Sequence, residues 1–121
     1  MPRAPVNFTE KLALIREPWS PRIVARLNDY QFKLARLEGT FVWHRHDETD
    51  EAFIVLEGSM RIELRDGAVA LNPGEMYVVS RGTEHRPVSE SGCSVLLVEP
   101  AGTLNTGNAD SPYRVDNPDW I

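Results

Sequence analysis

The sequence predicts an all-β fold, a sandwich or barrel, preceded by one short helix. From residue 22 onwards, apolar residues recur with a period of two, which is the period of strands with one buried face. Glycine, proline, asparagine and aspartate interrupt these segments at intervals of about ten residues, as is typical of short strands joined by turns. A chain of 121 residues has the length of one domain and needs no disulfide bridge to build a core. We therefore expect one domain over residues 1–121, with its β-core at 22–100.

A short helix is predicted at about residues 7–16. Asn7 is a good N-cap, and Glu10 three positions later completes a capping box. Leu12 and Ile15 form one apolar side of the helix. The prolines that follow end it, because proline cannot continue a helix.

The strands are assigned from the alternation and from the turn signals. In the second strand, Tyr30, Phe32 and Leu34 share one face. From residue 60 to residue 65, apolar and charged residues alternate, which predicts a strand with one buried face. The predicted strands are 22–27, 30–37, 41–46, 52–56, 60–64, 69–71, 76–79, 85–88 and 94–98.

The C-terminal tail, residues 101–121, is rich in glycine, asparagine, aspartate, serine and proline. It nevertheless ends in Trp120 and Ile121, two residues that a fully solvated tail would not need. We expect this end to dock on the barrel or on a partner subunit.

The composition excludes several classes of function. Thirteen Lys and Arg residues against 18 Asp and Glu residues give a net charge of −5, which argues against nucleic-acid binding. No apolar run approaches the roughly 18 residues that a membrane span requires, and no signal peptide is visible. The single cysteine, Cys93, cannot form an internal disulfide and is expected to be a buried thiol. These observations predict a cytoplasmic protein.

The three histidines of the chain predict a metal site. His44 and His46 are two residues apart on a predicted strand, so their imidazoles project from the same face. Glu51 follows an acidic turn, and His85 follows a glycine turn. Neutral imidazoles suit zinc, copper, iron and nickel, and a carboxylate also admits manganese. An octahedral metal with these four ligands would keep two positions for water or substrate.

A single strand histidine is more often a structural residue than a metal ligand. Here the pattern uses every histidine of the chain together with one glutamate, and this favours a metal site. The acidic residues Asp47, Glu48 and Asp50 are expected to form a solvated turn.

The spacing of these residues resembles the two sequence motifs of the cupin superfamily. The matching positions are Gly39, His44, His46, Glu51 and Gly58 in the first motif, and Gly74, Gly82 and His85 in the second. The block from Trp43 to His46, with Asp50, Glu51 and Gly58, resembles the small single-domain cupins labelled mannose-6-phosphate isomerase-like. The resemblance implies a double-stranded β-helix (jelly-roll) barrel that binds one divalent transition metal, such as Zn, Fe, Mn or Ni. It also implies that the metal ligands are His44, His46, Glu51 and His85.

Four residues are expected to share the inward face near these ligands, where they pack the core and line a pocket. They are Phe53, Met60, Ile62 and Tyr77. Tyr77 would serve as proton donor if it faces the pocket. Trp43 alternates with His44 and is expected to face away from the metal, as a candidate interface residue.

Three functional hypotheses follow. The first is a metal-dependent enzyme, isomerase-like or dioxygenase-like, that acts on a small polar metabolite. The second is a non-catalytic module that binds a small ligand, and the third is a structural metal protein without turnover. A homodimer is expected, because small barrels leave strand edges to be covered. Metal affinity is expected to fall as the pH drops through about 6, since the imidazoles must be deprotonated to bind.

Overall fold

Strands form most of the regular structure in the computed structural model, which describes residues 3–121. Met1 and Pro2, which belong to the N-terminal segment considered for targeting, lie outside the described residues. The elements are α1 (Phe8–Leu12), β1 (Arg22–Leu27), β2 (Tyr30–Thr40), β3 (Glu51–Gly58), β4 (Met60–Leu64), β5 (Gly67–Leu71), β6 (Met76–Val79) and β7 (His85–Pro100). The predicted all-β class with one short N-terminal helix is confirmed.

All the strand pairs are antiparallel, and β7 lies at the centre of the arrangement. Five strands follow the order β1-β2-β7-β3-β6, while β4 pairs with both β5 and β7. The first part of β7 pairs with β4, and the later part pairs with β2 and β3. The prediction of two separate strands at 85–88 and 94–98 was wrong. Gly92 adopts a φ of 88°, which lets one long strand change direction without ending.

The segment 41–46 is not the regular strand that the alternation predicted. Its one β-bridge pairs His44 with His85, through backbone hydrogen bonds of 3.0 and 2.9 Å. The backbone N–H of Arg45 instead donates to the side chain of Asn108 at 2.8 Å, and the Arg45 carbonyl accepts from the Asn108 N–H at 3.2 Å. The C-terminal tail therefore occupies the hydrogen-bonding groups that a neighbouring strand would use.

Helix α1 is shorter than the predicted 7–16. Asn7 caps it as expected, because its side chain accepts a hydrogen bond from the Glu10 N–H at 3.0 Å. The helix ends at Leu12, and the guanidinium of Arg36 donates to the carbonyls of Leu12 and Ile15, both at 2.7 Å; the Leu12 carbonyl also accepts from the Ile15 N–H at 3.0 Å. Within residues 3–121, no helix is long and apolar enough to cross a membrane.

Apolar side chains are buried on both faces of the main sheet. The larger cluster fills the barrel interior and includes Ala35, Leu37, Phe53, Val55, Ile62, Val95 and Leu97. The second cluster lies on the outer face, where α1 packs on the sheet, and includes Leu12, Ile15, Val24, Leu34 and Leu96. The main sheet therefore has a hydrophobic cluster on each of its two faces.

The end of the tail docks on its own barrel, which is one of the two predicted outcomes. The Ile23 N–H donates to the Asp119 carbonyl at 2.8 Å, and the Ile121 N–H donates to the Ile23 carbonyl at 3.0 Å. Ile121 packs against the outer cluster. The side chain of Trp120 stays exposed. The tail is held by backbone pairing and by Ile121 rather than by the tryptophan ring.

Candidate metal centre

The fold brings four predicted ligand residues together at one end of the barrel interior. His44 and His46 lie in the segment between β2 and β3, Glu51 begins β3 and His85 begins β7. Each of the four offers a ligand atom, and these atoms lie within 4.8 Å of one another. All four residues are at most 7% exposed. The cluster is compatible with binding a metal ion.

Two of the histidines are oriented by backbone carbonyls. The Nδ1 atom of His44 lies 2.9 Å from the Val42 carbonyl, and the Nδ1 atom of His85 lies 2.9 Å from the Thr83 carbonyl. A proton on Nδ1 makes this hydrogen bond, so the lone pair is left on Nε2. Metal-binding histidines are held in this way, because the second nitrogen fixes the ring and its tautomer.

Three atoms at the centre of the cluster are buried without a hydrogen-bonding partner. They are Nε2 of His46, Oε1 of Glu51 and Nε2 of His85. The Glu51 oxygen lies 3.3 Å from the first of these nitrogens and 3.5 Å from the second. Buried polar atoms are normally paired, because leaving one unpaired costs about 1–3 kcal/mol. One cation bound at this point would satisfy all three atoms, so the residues fit a metal.

The surroundings keep two of the ligands, His44 and Glu51, in their metal-binding protonation states. Burial lowers the pKa of His44 to about 4, with a further contribution from His85. Burial by itself would raise the pKa of Glu51, but the imidazoles of His46 and His85 beside it bring that pKa well below its usual range. His44 is thus neutral and Glu51 is charged at neutral pH, as metal binding requires.

A buried ion pair, which the sequence did not reveal, lies next to Glu51. Lys33 Nζ contacts Glu99 Oε1 at 2.9 Å, and both side chains are only 2% exposed. Burial raises the pKa of Glu99 well above its usual range, the nearby Glu51 carboxylate raises it further, and Lys33 opposes both effects. The available sequence signal was weak: Lys33 lies in a largely apolar segment that also contains Arg36, and Glu99 directly follows the apolar segment 94–98.

A small cavity of about 40 Å³ borders the cluster. Two of the ligands, His44 and Glu51, line it, together with Trp19, Pro21, Ala35, Leu37, Phe41, Phe53, Pro87, Leu97 and Asn105. The lining therefore includes Phe53 from the predicted pocket residues.

The other three predicted pocket residues do not line this cavity. Met60 and Ile62 are buried in the interior core, away from the cavity wall. Tyr77 is half-buried, pairs with Phe53 across the β3–β6 ladder and packs against the core. Its predicted role as proton donor stays a prediction, and the position of its side chain does not support it.

An aromatic wall closes one side of the cavity. The rings of Trp19 and Phe41 stack with their centroids 4.7 Å apart, and Tyr113 of the tail stacks on Phe41 at 5.4 Å. Phe41 in turn meets the ring of His44 edge-on at 5.3 Å. These rings pack against His44, and the sequence did not identify Trp19 or Tyr113 as part of the site.

The C-terminal tail covers the segment that carries His44 and His46. Gly107 approaches the backbone so closely that an added Cβ would overlap the Arg45 carbonyl and contact the ring of His44. Thr106, next to it, is fully buried. The polar composition of the tail did not predict this contact, since the residues involved are more than fifty positions apart in the chain.

Trp43 lies on the side away from the cluster, where two arginines cover its ring. The guanidinium carbon of Arg65 lies 3.8 Å from the ring centroid, and that of Arg86 lies 5.0 Å away. These cation–π contacts give Trp43 partners within its own chain.

Comparison with known proteins places the chain in a family. The model of the cupin domain matches residues 32–99. The uncharacterized protein YdbB of Bacillus subtilis is 34% identical over 86 residues, which cover 70% of this chain and 76% of that protein.

Solved structures show the same fold. A cupin-2 domain protein from Shewanella frigidimarina is 49% identical and superposes with a TM-score of 0.77, covering 78% of this chain and 93% of its own. Protein NMB1881 from Neisseria meningitidis is 38% identical with a TM-score of 0.74, covering 81% and 100%. The closer resemblance to mannose-6-phosphate isomerase-like proteins stays a prediction. The chain is a small single-domain member of the cupin family, folded as an all-β jelly-roll barrel.

Proposed function

We propose that this cupin binds one divalent transition metal and acts as a metal-dependent enzyme on a small molecule. The ligands are Nε2 of His44, His46 and His85 and Oε1 of Glu51. One observation carries the proposal: three of these atoms meet in a buried space without hydrogen-bonding partners. The donor set suits zinc, iron, manganese and nickel.

The protein residues contribute orientation and exclusion of water. A bound metal would supply Lewis-acid or redox activation of an oxygen donor. His44 and Glu51 line the small cavity, so the centre borders the space in which a ligand would lie. The Val42 and Thr83 carbonyls hold two imidazoles in place, which limits the reorganisation needed during binding.

The cavity favours oxygenase-type over isomerase-type chemistry. Isomerisation by proton transfer needs a positioned acid or base beside the substrate. In the described part of the chain, the titratable side chains of the cavity lining are His44 and Glu51, both assigned to the metal, and Tyr77 lies elsewhere. Oxygen uptake by the Fe²⁺-loaded protein, with small phenols or enolisable ketones, tests this choice. Turnover of such compounds by the Zn²⁺-loaded protein without oxygen uptake would contradict it.

A non-catalytic binding module is the second candidate. The small size of the cavity and the absence of an unassigned acid or base in its described lining favour it. Thermal stabilisation of the metal-loaded protein by a compound that it never converts would support this candidate.

Calorimetric titration of metal into the metal-free protein tests the proposed centre. We expect one equivalent of Zn²⁺ or Mn²⁺ per chain, and an affinity at least roughly tenfold lower in Glu51→Gln. Glu48→Gln is the matched control, because it makes the same chemical change at an exposed neighbour outside the cluster. Equal loss of affinity in both variants, or no binding to the wild-type protein, would contradict the proposal.

We also propose a homodimer that forms through the outer face of the sheet. One row of apolar residues runs across four neighbouring strands of this face. It consists of Leu34 on β2, Leu96 on β7, Ile54 on β3 and Met76 on β6. Helix α1 covers the buried end of this row, whereas Met76 on the edge strand is 59% exposed. An apolar row that ends exposed on an edge strand is suited to pairing with a second copy of the chain.

We also propose a cytoplasmic location. The buried free thiol of Cys93 agrees with it, because free thiols persist in reducing compartments.

A further inference from the structure

We propose that the cavity beside the metal centre takes a compact, mostly apolar substrate that carries a single oxygen donor, and that it rejects sugar phosphates and polyhydroxylated compounds. This inference rests on the proposed metal-dependent function, because the metal would bind the oxygen donor. It departs from the sequence-based expectation of a small polar metabolite.

The size and the lining of the cavity carry the first step. Its volume of about 40 Å³ corresponds to roughly three water molecules at ~10–15 Å³ each, and it is open on one side, so a ligand of about six non-hydrogen atoms would extend into the opening. Apolar side chains from several elements form most of the wall, including the stacked pair Trp19 and Phe41. A ligand that fills this space exchanges water contacts for apolar contacts over most of its surface.

The few polar side chains of the lining have most of their hydrogen-bonding capacity engaged. His44 Nδ1 bonds to the Val42 carbonyl, which leaves its Nε2 for the metal. Asn105 donates to the Tyr113 carbonyl and accepts from the Val115 N–H, both at 2.9 Å. The second N–H of the Asn105 amide could serve one acceptor at most, so several hydroxyl groups on a bound substrate would be buried without partners, which disfavours polyols.

The charges near the cavity disfavour a phosphate group. The described lining contains no lysine or arginine, the side chains that usually bind phosphate. The nearby cation, Lys33, is paired with Glu99 at 2.9 Å. A divalent metal with the Glu51 carboxylate has a net charge of +1, enough to balance one singly charged oxygen donor and no more.

Two ketones of nearly the same shape test the inference. Pentan-3-one and 1,3-dihydroxyacetone share one skeleton, and each terminal methyl group of the first is a hydroxyl group in the second. Dihydroxyacetone phosphate adds the phosphate. Each is titrated into the Zn²⁺-loaded protein, and binding is followed by the NMR signal of the Trp19 indole N–H, which donates to the Glu38 carbonyl at 3.0 Å. We expect pentan-3-one to bind at least tenfold more tightly than either of the other compounds.

A cavity-filling variant tests where the ketone binds. Ala35 is fully buried in the cavity wall and is not a metal ligand. Ala35→Leu is expected to weaken pentan-3-one binding at least tenfold while the zinc stoichiometry stays unchanged. Ala35→Val provides a milder replacement if the leucine variant does not fold.

The outcomes separate this inference from the proposed function. Equal or tighter binding of dihydroxyacetone or its phosphate would overturn the inference, as would no binding of any of the three compounds. Unchanged ketone binding in folded Ala35 variants would also overturn it. In each of these cases normal zinc binding would leave the proposed metal centre standing. Failure of the wild-type protein to bind zinc would overturn both.

Discussion

Removal of Lys33 is expected to destabilise the fold strongly, because it leaves the carboxyl group of Glu99 buried without its cation. The two side chains are 2% exposed and 2.9 Å apart, and the Glu51 carboxylate lies nearby. Breaking a buried ion pair on one side typically costs about 3–5 kcal/mol, far more than loss of an exposed pair. We therefore expect Lys33→Met to lose about 3–5 kcal/mol of unfolding free energy at pH 7.

The pH dependence of this loss follows from the carboxyl group that remains. Burial and Glu51 already raise the pKa of Glu99, and the variant removes the lysine that opposes them. Its folded-state pKa then lies further above the unfolded value, so the folded state takes up a proton first as the pH falls. The deficit of Lys33→Met relative to the wild-type protein should therefore shrink at lower pH.

Urea denaturation of the metal-free protein, followed by circular dichroism, measures these effects. Arg114→Met is the control, since it breaks a well-exposed ion pair with Asp116 and should cost less than about 1 kcal/mol. The double variant Lys33→Met/Glu99→Leu should recover most of the stability, because neither charge stays buried. A loss below about 1 kcal/mol in Lys33→Met, or no recovery in the double variant, would refute the reasoning.

Three further predictions concern the site, the tail and the assembly. Because the pKa of His44 falls from 6.5 to about 4 on folding, the unfolded state takes up this proton first. His44 should therefore contribute a loss of about 3 kcal/mol to the stability of the metal-free protein between pH 6.5 and pH 4, and an equal loss over this range in His44→Asn would speak against it. Gly107→Ala should lower the free energy of unfolding by about 1–3 kcal/mol and speed proteolysis of the tail, because the added Cβ meets the Arg45 carbonyl. The control is Gly102→Ala, at a glycine that also has positive φ but has open space around it, and it should lower stability less. Equal losses in the two variants would exclude the overlap as the cause. Light scattering should show a dimer that Met76→Glu converts to a monomer, whereas a monomeric wild-type protein at micromolar concentration would rule out this interface.

The ligand residues were predictable because their types and their positions relative to the predicted strands and turns form a recognisable pattern. His44 and His46 share a face at a spacing of two even though the segment is not a regular strand, since the bridge to His85 keeps the backbone extended there. Glu51 begins β3, and His85 begins β7. Residue type and spacing, together with the resemblance to cupins, were sufficient for these positions.

The buried ion pair was not predictable from alternation, because both faces of the sheet are covered. Phe32 and Leu34 lie on the outer face under α1, whereas Lys33 on the opposite face points into the barrel. A period of two separates the faces of a strand but does not say which face is the interior. The apolar residues of β2 suggested one core, and the structure has two.

The aromatic wall and the tail depend on contacts between distant parts of the chain. Trp19 precedes the first strand and Tyr113 lies in a polar tail, yet both pack against Phe41. Tyr77, in contrast, was assigned to the pocket because it shares a face with Phe53, and it packs on the core beyond the cavity. Local patterns determine the face of a strand, while the end of the barrel at which a side chain lies depends on the topology.

Anomalous X-ray scattering from crystals of the zinc-loaded protein tests the central claim most directly. The account predicts one peak per chain, within bonding distance of Nε2 of His44, His46 and His85 and of Oε1 of Glu51. A peak on the exposed acidic turn at residues 47–50, or no peak within the barrel, would contradict it.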